Sequence, residues 1–198
     1  MPSSTGWKTT CQDSKKAHDE NRTLLFVDES AFYLLPGVVS TWAPVGETPI
    51  LRCELTRDHF SVISAISPEG KLWLKMQENA FNSDGVVAFL MQMLEQISGD
   101  LLIIWDGAPI HRSNTIKAFL AEGAAKRIWL ERLPPYAPEL NPDEGIWHYL
   151  KHVELRNVCC RSMADLRHTL DTASARMRQK PEIIRACFEQ VGFYKMIT

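Results

Sequence analysis

Two short apolar runs end in aspartate, Leu24-Leu-Phe-Val-Asp28 and Leu101-Leu-Ile-Ile-Trp-Asp106, and a Pro-rich loop launches a helix with Glu144 in its first turn. Together they supply three carboxylates from three separate elements. Magnesium prefers oxygen ligands and keeps several waters, so a few carboxylates and the oxygens of a bound phosphate complete its shell. Two such ions ~3.5–4 Å apart can activate a water or a 3′-hydroxyl on one side of a phosphate and stabilise the leaving oxygen on the other. The constellation therefore points to phosphodiester chemistry at a site for two Mg2+ or Mn2+ ions, with Asp28, Asp106 and Glu144 as ligands.

Each acid also has a plainer use. An aspartate at a strand end is commonly a turn or cap residue. With Asn141 as N-cap and Pro142 at the first helical position, Glu144 occupies the third, from which it can reach back to the cap backbone N–H. Asp143, one position earlier, is a rival to Glu144 for a role at the site. His111, five residues after Asp106, suits contact with a scissile phosphate or a metal-bound water and equally suits a cap on the following helix. Glu29 neighbours Asp28, but on a strand it points to the opposite face. There is no P-loop or dinucleotide fingerprint, and Ser30 lacks the glycine-flanked elbow of a hydrolase serine.

The elements that must carry these residues follow from pattern. Leu24 to Val27 is too short for a helix and reads as a buried strand with Asp28 at its C-terminal end. From Pro36 to Arg52, Gly37, Pro44, Gly46 and Pro49 interleave with Val38, Val39, Trp42, Val45 and Ile50, as in an extended hairpin or flap. Phe60–Ser67 and Leu72–Met76 flank a Pro- and Gly-containing turn and should pair antiparallel. Asn82 caps a helix that Ser98-Gly99 stops, and Leu101–Trp105 is a second buried strand. Ser113 or Asn114 caps a helix to Gly123, and Arg127–Leu133 is a further strand. Alternation of helix and strand after an antiparallel meander marks parallel crossovers in an α/β domain. From Pro142 on the chain is helical, with an apolar stripe of Ile146, Trp147, Leu150 and Val153, an N-terminal cap at Ser162 and a break at Pro181.

A chain of 198 residues with 45% hydrophobic content can bury one sizeable core. The division expected is a lead-in at 1–22, a catalytic domain at 23–155 with its flap at 36–52, and a C-terminal helical extension of the same domain at 156–198. A formal charge of −2 and a pI near 6.3 argue against holding nucleic acid by bulk charge alone. Five cysteines without a C-x-x-C spacing suggest reduced structural residues rather than a zinc module or disulfide framework. Nothing approaches the length of a membrane span or a signal peptide, so a cytoplasmic, nucleoid-associated protein is expected.

At these residues the sequence resembles the DDE transposases of the mariner superfamily, in the bacterial branch known as the insertion sequence 630 family. The resemblance is carried by Phe26-Val-Asp28-Glu-Ser-Ala-Phe, Thr41-Trp-Ala-Pro-Val-Gly-Glu-Thr-Pro, Trp105-Asp106-Gly-Ala-Pro-Ile-His111 and the run from Leu133 to Lys151 containing Asn-Pro-Asp-Glu144. It covers residues 7 to 155. It implies an RNase H-like fold: a five-stranded mixed sheet, three antiparallel strands and then two parallel ones, flanked by helices. It carries Asp28, Asp106 and Glu144 over as the three acids, placing Glu144 rather than Asp143 at the family's third position. It also implies metal-dependent DNA cleavage at transposon ends and joining of the freed 3′-hydroxyl to a target, on a homodimer assembled on DNA. In that frame the flap helps pair two subunits, with Trp42 as its anchor; packing in a hairpin core is the other use for that residue.

Members of this family carry N-terminal helix-turn-helix modules that this chain lacks, so it is expected to be a catalytic fragment, a separately encoded half or a remnant without sequence-specific end binding. Between Gly145 and Lys180, seven basic residues face three acidic ones, and Lys151 and Arg156 are candidates for DNA backbone contact in weak, salt-sensitive binding. A stand-alone RNase H-like nuclease and a non-catalytic dimerisation or regulatory remnant are the alternatives.

Overall fold

The computed structural model describes residues 20–52, 56–135 and 137–193. The apolar run at 24–27 opens strand β1 (Thr23–Tyr33), followed by β2 (His59–Ile66) and β3 (Leu72–Gln77). A turn joins β2 to β3, closed by Gly70 N–H on the Ser67 carbonyl at 2.9 Å. Gly70 has φ 89°, and a Cβ there would lie 2.7 Å from Pro181, so both conformation and space call for glycine. Helix α1 (Ser83–Gln96) begins at Asn82, whose side chain accepts the Gly85 N–H. Strand β4 (Leu101–Trp105), helix α2 (Asn114–Ala121), capped by Ser113, and strand β5 (Ile128–Arg132) follow. The last third holds α3 (Asp143–Tyr149), α4 (Met163–Arg178) and α5 (Pro181–Gln190), the last with Pro at its first position.

The sheet order is β3-β2-β1-β4-β5, antiparallel across β3, β2 and β1 and parallel across β1, β4 and β5. This is the mixed sheet expected of an RNase H-like fold. Because side chains alternate along a strand, Leu25, Val27, Ile103 and Trp105 face one side, where Val86, Phe89, Leu90 and Met93 of α1 and Ile116 of α2 bury them. Leu24, Phe26, Leu102 and Ile104 face the other, packed with Ile146 and Trp147 of α3, Leu166 and Leu170 of α4, and Ile184 and Phe188 of α5. Burial on both faces explains why β1 and β4 open as continuous apolar runs rather than alternating ones.

Four expectations change. Asp28 is not at the end of its strand: pairing with β4 stops at Val27 opposite Trp105, but β2 continues alongside as far as Tyr33, so β1 is prolonged past it. The flap forms no hairpin; it has a turn in which Glu47 N–H meets the Pro44 carbonyl at 3.0 Å, and Val38, Trp42, Val45 and Ile50 are exposed. Trp42 is therefore not hairpin core. Val153 leaves the apolar stripe because α3 runs into a π turn at Leu150–Glu154, where Leu155 N–H bonds to the Leu150 carbonyl and one extra residue turns the helix surface. Cys159 is disulfide-bonded, whereas Cys160 and Cys187 are free. Of the lead-in, residues 1–19 lie outside the described residues. Among the described residues no helix is long and apolar enough to cross a membrane.

Helix α3 sits unusually close to α5, since a Cβ on Gly145 would come within 2.7 Å of Cys187 Sγ. Gly145→Ala should therefore destabilise the protein by about 1–3 kcal/mol through overpacking. Cys187→Ala in the same chain should recover part of that loss, read as the shift in thermal midpoint.

Candidate active site

Asp28 follows Leu24 and Phe26 by the two-residue period of β1, and Asp106 follows Leu102 and Ile104 by that of β4. Asp28 thus leaves the sheet on the α3 face, and Asp106 follows the last residue of the neighbouring strand, each one residue beyond the Val27–Trp105 pair. The Pro-rich loop then closes over them. Asp28, Asp106 and Glu144 line one cavity of about 420 Å³, walled by Gly107, Ala108, Leu133, Pro134, Pro135, Ala137, Pro138 and Asn141.

Glu144 is exposed at the rim of this cavity. It does not form a capping box, because the Asn141 backbone N–H is already taken by the Pro138 carbonyl at 2.9 Å. Asn141 itself caps the turn, its Oδ1 accepting the Asp143 N–H at 3.2 Å. The cap and the acid are therefore separate residues. Asp143 does not reach the cavity lining: its carboxyl is fully buried under the first turn of α3, where Ser64 Oγ donates to Oδ1 and Oδ2 has no hydrogen-bond partner.

Asp28 is held by Trp147, whose indole Nε1–H donates to Oδ2 at 2.8 Å. Burial, helped by the nearby charges of Glu29 and Glu144, pushes its carboxyl up to about 7 against the lowering effect of the Trp147 bond. Asp143 is raised well above the ordinary carboxylate range, first by burial and then by Asp28. Burial, with Asp143 beside it, also lifts the Cys187 thiol to about 11.

His111 is neither a helix cap nor a free group in the cavity. It stacks on Trp105 with ring centroids 4.2 Å apart and planes 4° from parallel. Its Nε2 meets Glu29 Oε1 at 3.0 Å, and its Nδ1 meets Asp106 Oδ1 at 2.9 Å. Burial favours the neutral ring, but the Glu29 and Asp106 contacts outweigh it and raise its pKa. Nδ1 also lies 3.3 Å from the Asp106 backbone carbonyl, so both ring nitrogens face acceptor oxygens. Asp106 Oδ1 also accepts the Ala108 N–H at 2.9 Å, so this oxygen is fixed by protein donors.

Lys151 Nζ donates to Ser30 Oγ at 2.7 Å and lines a separate cavity with Tyr33, Arg57 and His152. Arg156 is exposed. Of the other basic residues, Arg176 and Lys180 are paired with Glu154, and Arg167 lies over the Phe60 ring. Three partnerships were invisible in the sequence: Trp147 with Asp28, Glu29 with His111, and Ser64 with Asp143. The alternation of β1 signalled only that Glu29 turns away from Asp28.

The donor set at the cavity is all carboxylate oxygen, which suits a hard divalent cation. Among the described residues, no three His, Cys, Asp or Glu side chains converge into a ready-made metal cluster.

Residues 23–167 match the family described as DDE superfamily endonuclease. The structure superposes on the Mos1 mariner paired-end complex with Mn at a TM-score of 0.69 and 14% identity, over 96% of this chain and 60% of that one. For the Mos1 strand transfer complex the values are 0.66 and 15%, over 96% and 59%. The catalytic domain of Mos1 mariner transposase superposes at 0.54 and 15%, over 93% of this chain and 91% of that one. At these identities the likeness is one of fold. The chain spans about three-fifths of the length of the chains in the two complexes. No curated protein matches it in sequence.

The raised carboxyls predict how the metal-free protein responds to pH. A carboxyl whose folded pKa lies above its unfolded value stabilises the fold fully at low pH, and that contribution is lost as pH rises toward the folded pKa. For Asp28 the window runs from about 3.8 to about 7. Asp28→Asn and Asp143→Asn should match wild type in thermal midpoint near pH 4 and exceed it by several degrees at pH 8. A gap that does not widen with pH would show that neither carboxyl is buried as described.

Proposed function

This chain belongs to the DDE superfamily endonuclease family, and we propose that it is the catalytic part of a transposase, which cuts DNA strands at transposon ends and joins the freed 3′-hydroxyl to a target strand. Asp28, Asp106 and Glu144 are the ligands of two divalent ions, Mg2+ or Mn2+. The observation that carries this reading is the single cavity lined by these three acids from β1, the end of β4 and the start of α3. When bound, the ions activate the attacking hydroxyl, neutralise the phosphate and stabilise the leaving oxygen.

The chain's own side chains prepare that arrangement. Trp147 fixes one oxygen of Asp28, and the carboxyl lines the cavity. The Ala108 N–H and His111 hold Asp106 Oδ1 in the same way. Glu144, free of its own cap, can move over the rim toward the two aspartates. Pro134, Pro135 and Pro138 stiffen the wall of the cavity, because proline fixes φ.

DNA is the partner. Lys151 and Arg156 contact its backbone, and the flap, with Val38, Trp42, Val45 and Ile50 exposed, pairs two copies of the chain around it. The site of action is the cytoplasm, on nucleoid DNA. The helical segment 156–198 is part of the same domain, a view supported by the burial of α4 and α5 against the sheet.

The test is nicking of supercoiled plasmid in Mn2+, wild type against Asp106→Asn. Loss of a ligand removes several kcal/mol of transition-state stabilisation, roughly a thousand-fold or more in rate. Equal nicking by both proteins would reject the assignment. In a second arm, wild type should join a precut transposon end to target DNA; cleavage without joining would reduce the reading to a nuclease.

A further inference from the structure

Three side chains of α3 and the turn that follows it, Asp143, Trp147 and Lys151, are spaced four residues apart and so lie along one face. Each is bonded to the sheet. Ser64 Oγ donates to Asp143, Trp147 donates to Asp28, and Lys151 donates to Ser30. Ser64 stands directly opposite Asp28 in the β1–β2 ladder, and Ser30 is two residues beyond Asp28 on the same side of β1. A helical period of four is thus matched to a strand period of two, with Asp28 at the centre of the match.

The Asp143 contact is costly for the fold. Its carboxyl is wholly buried with Oδ2 unpartnered, in a place where an apolar side chain would pack without penalty. Glu144, the next residue, projects roughly 100° further round the helix, into the cavity. We propose that the Asp143–Ser64 pair is a positioning device that sets the rotation and height of the first turn of α3, so that Glu144 faces Asp28 and Asp106. This rests on the reading of those three acids as the metal ligands. Asp143 is then a positioning residue that touches neither metal nor substrate, and its role is to accept the Ser64 hydroxyl.

The device makes the three variants Asp143→Asn, Asp143→Ala and Ser64→Ala behave differently. Asn accepts the same hydrogen bond, so Asp143→Asn should keep kcat and the apparent Mn2+ constant within about twofold of wild type. Ser64→Ala and Asp143→Ala should remain folded by circular dichroism, yet lose kcat about tenfold or more and bind Mn2+ more weakly, with KM for DNA unmoved. Their double variant should be no worse than either single, because both delete one interaction. Asp143→Ala removes the orphaned oxygen together with the bond, so it serves this arm even if Ser64→Ala does not fold.

A readout independent of cleavage is hydrogen exchange at the amides of residues 144–147 in the metal-free protein. It should quicken about tenfold in Ser64→Ala and stay at the wild-type rate in Asp143→Asn. Wild-type kcat and exchange in Ser64→Ala or Asp143→Ala would overturn the proposal. So would an Asp143→Asn protein as inactive as Asp143→Ala, which would make Asp143 a ligand. A wild type without metal-dependent cleavage would instead sink the parent reading, while the exchange rates would still decide whether the pair positions the helix.

Discussion

Asp28 and Asp143 lie close enough to Glu29 and Glu144 for those charges to add to burial in raising their proton affinity, and Asp106 follows the end of the neighbouring strand. A fold that crowds carboxyl groups in this way must answer their repulsion before it can use them. The surrounding structure is organised as that answer. His111 bridges Glu29 and Asp106, Trp147 donates to Asp28, and Ser64 donates to Asp143. These contacts hold the acids in place. The cavity is lined by carboxylate oxygen, a donor set that suits a hard divalent cation.

The geometry that makes this possible is two periods meeting on one surface. β1 sends Asp28 and Ser30 to the α3 face and Glu29 to the α1 and α2 face, so adjacent acids are separated by the sheet itself. α3 presents Asp143, Trp147 and Lys151 along one line, which leaves Glu144 a separate direction into the cavity. The close approach of α3 to α5 at Gly145 allows no slack in this arrangement. Beyond Tyr149 the π turn ends the match, and Val153 turns to solvent where a regular helix would have buried it.

Much of this was legible in the residues. The apolar runs before Asp28 and Asp106, the caps at Asn82 and Ser113, and the helix–strand alternation after the meander located the strands, the helices and the parallel crossovers, while the family resemblance supplied the five-stranded mixed sheet. These are local signals, and local signals survive folding. Asp28 appeared to end its strand because apolar residues stop at Val27; the continuation to Tyr33 depends on the β2 ladder, a partner no window on β1 contains. The hairpin expected at 36–52 rested on turn residues without strand pairing to support them, and the chain there remains irregular. Bonds between residues far apart in sequence, such as Trp147 to Asp28 and His111 to Glu29, have no local signature. The same holds for the burial of Asp143, whose neighbour Glu144 is exposed on the next face of the same turn.

The rest of the structure turns on the proposed ligation of divalent cations by Asp28, Asp106 and Glu144 in one cavity. Anomalous diffraction from crystals grown with Mn2+ and a short DNA end tests it directly. Two peaks in the cavity are expected, each within ~2.0–2.2 Å of carboxylate oxygens of these acids, with Glu144 drawn inward from the rim. Peaks absent from this cavity, or seated instead on the other side of α3 among Glu139, Glu144 and His148, would contradict the account.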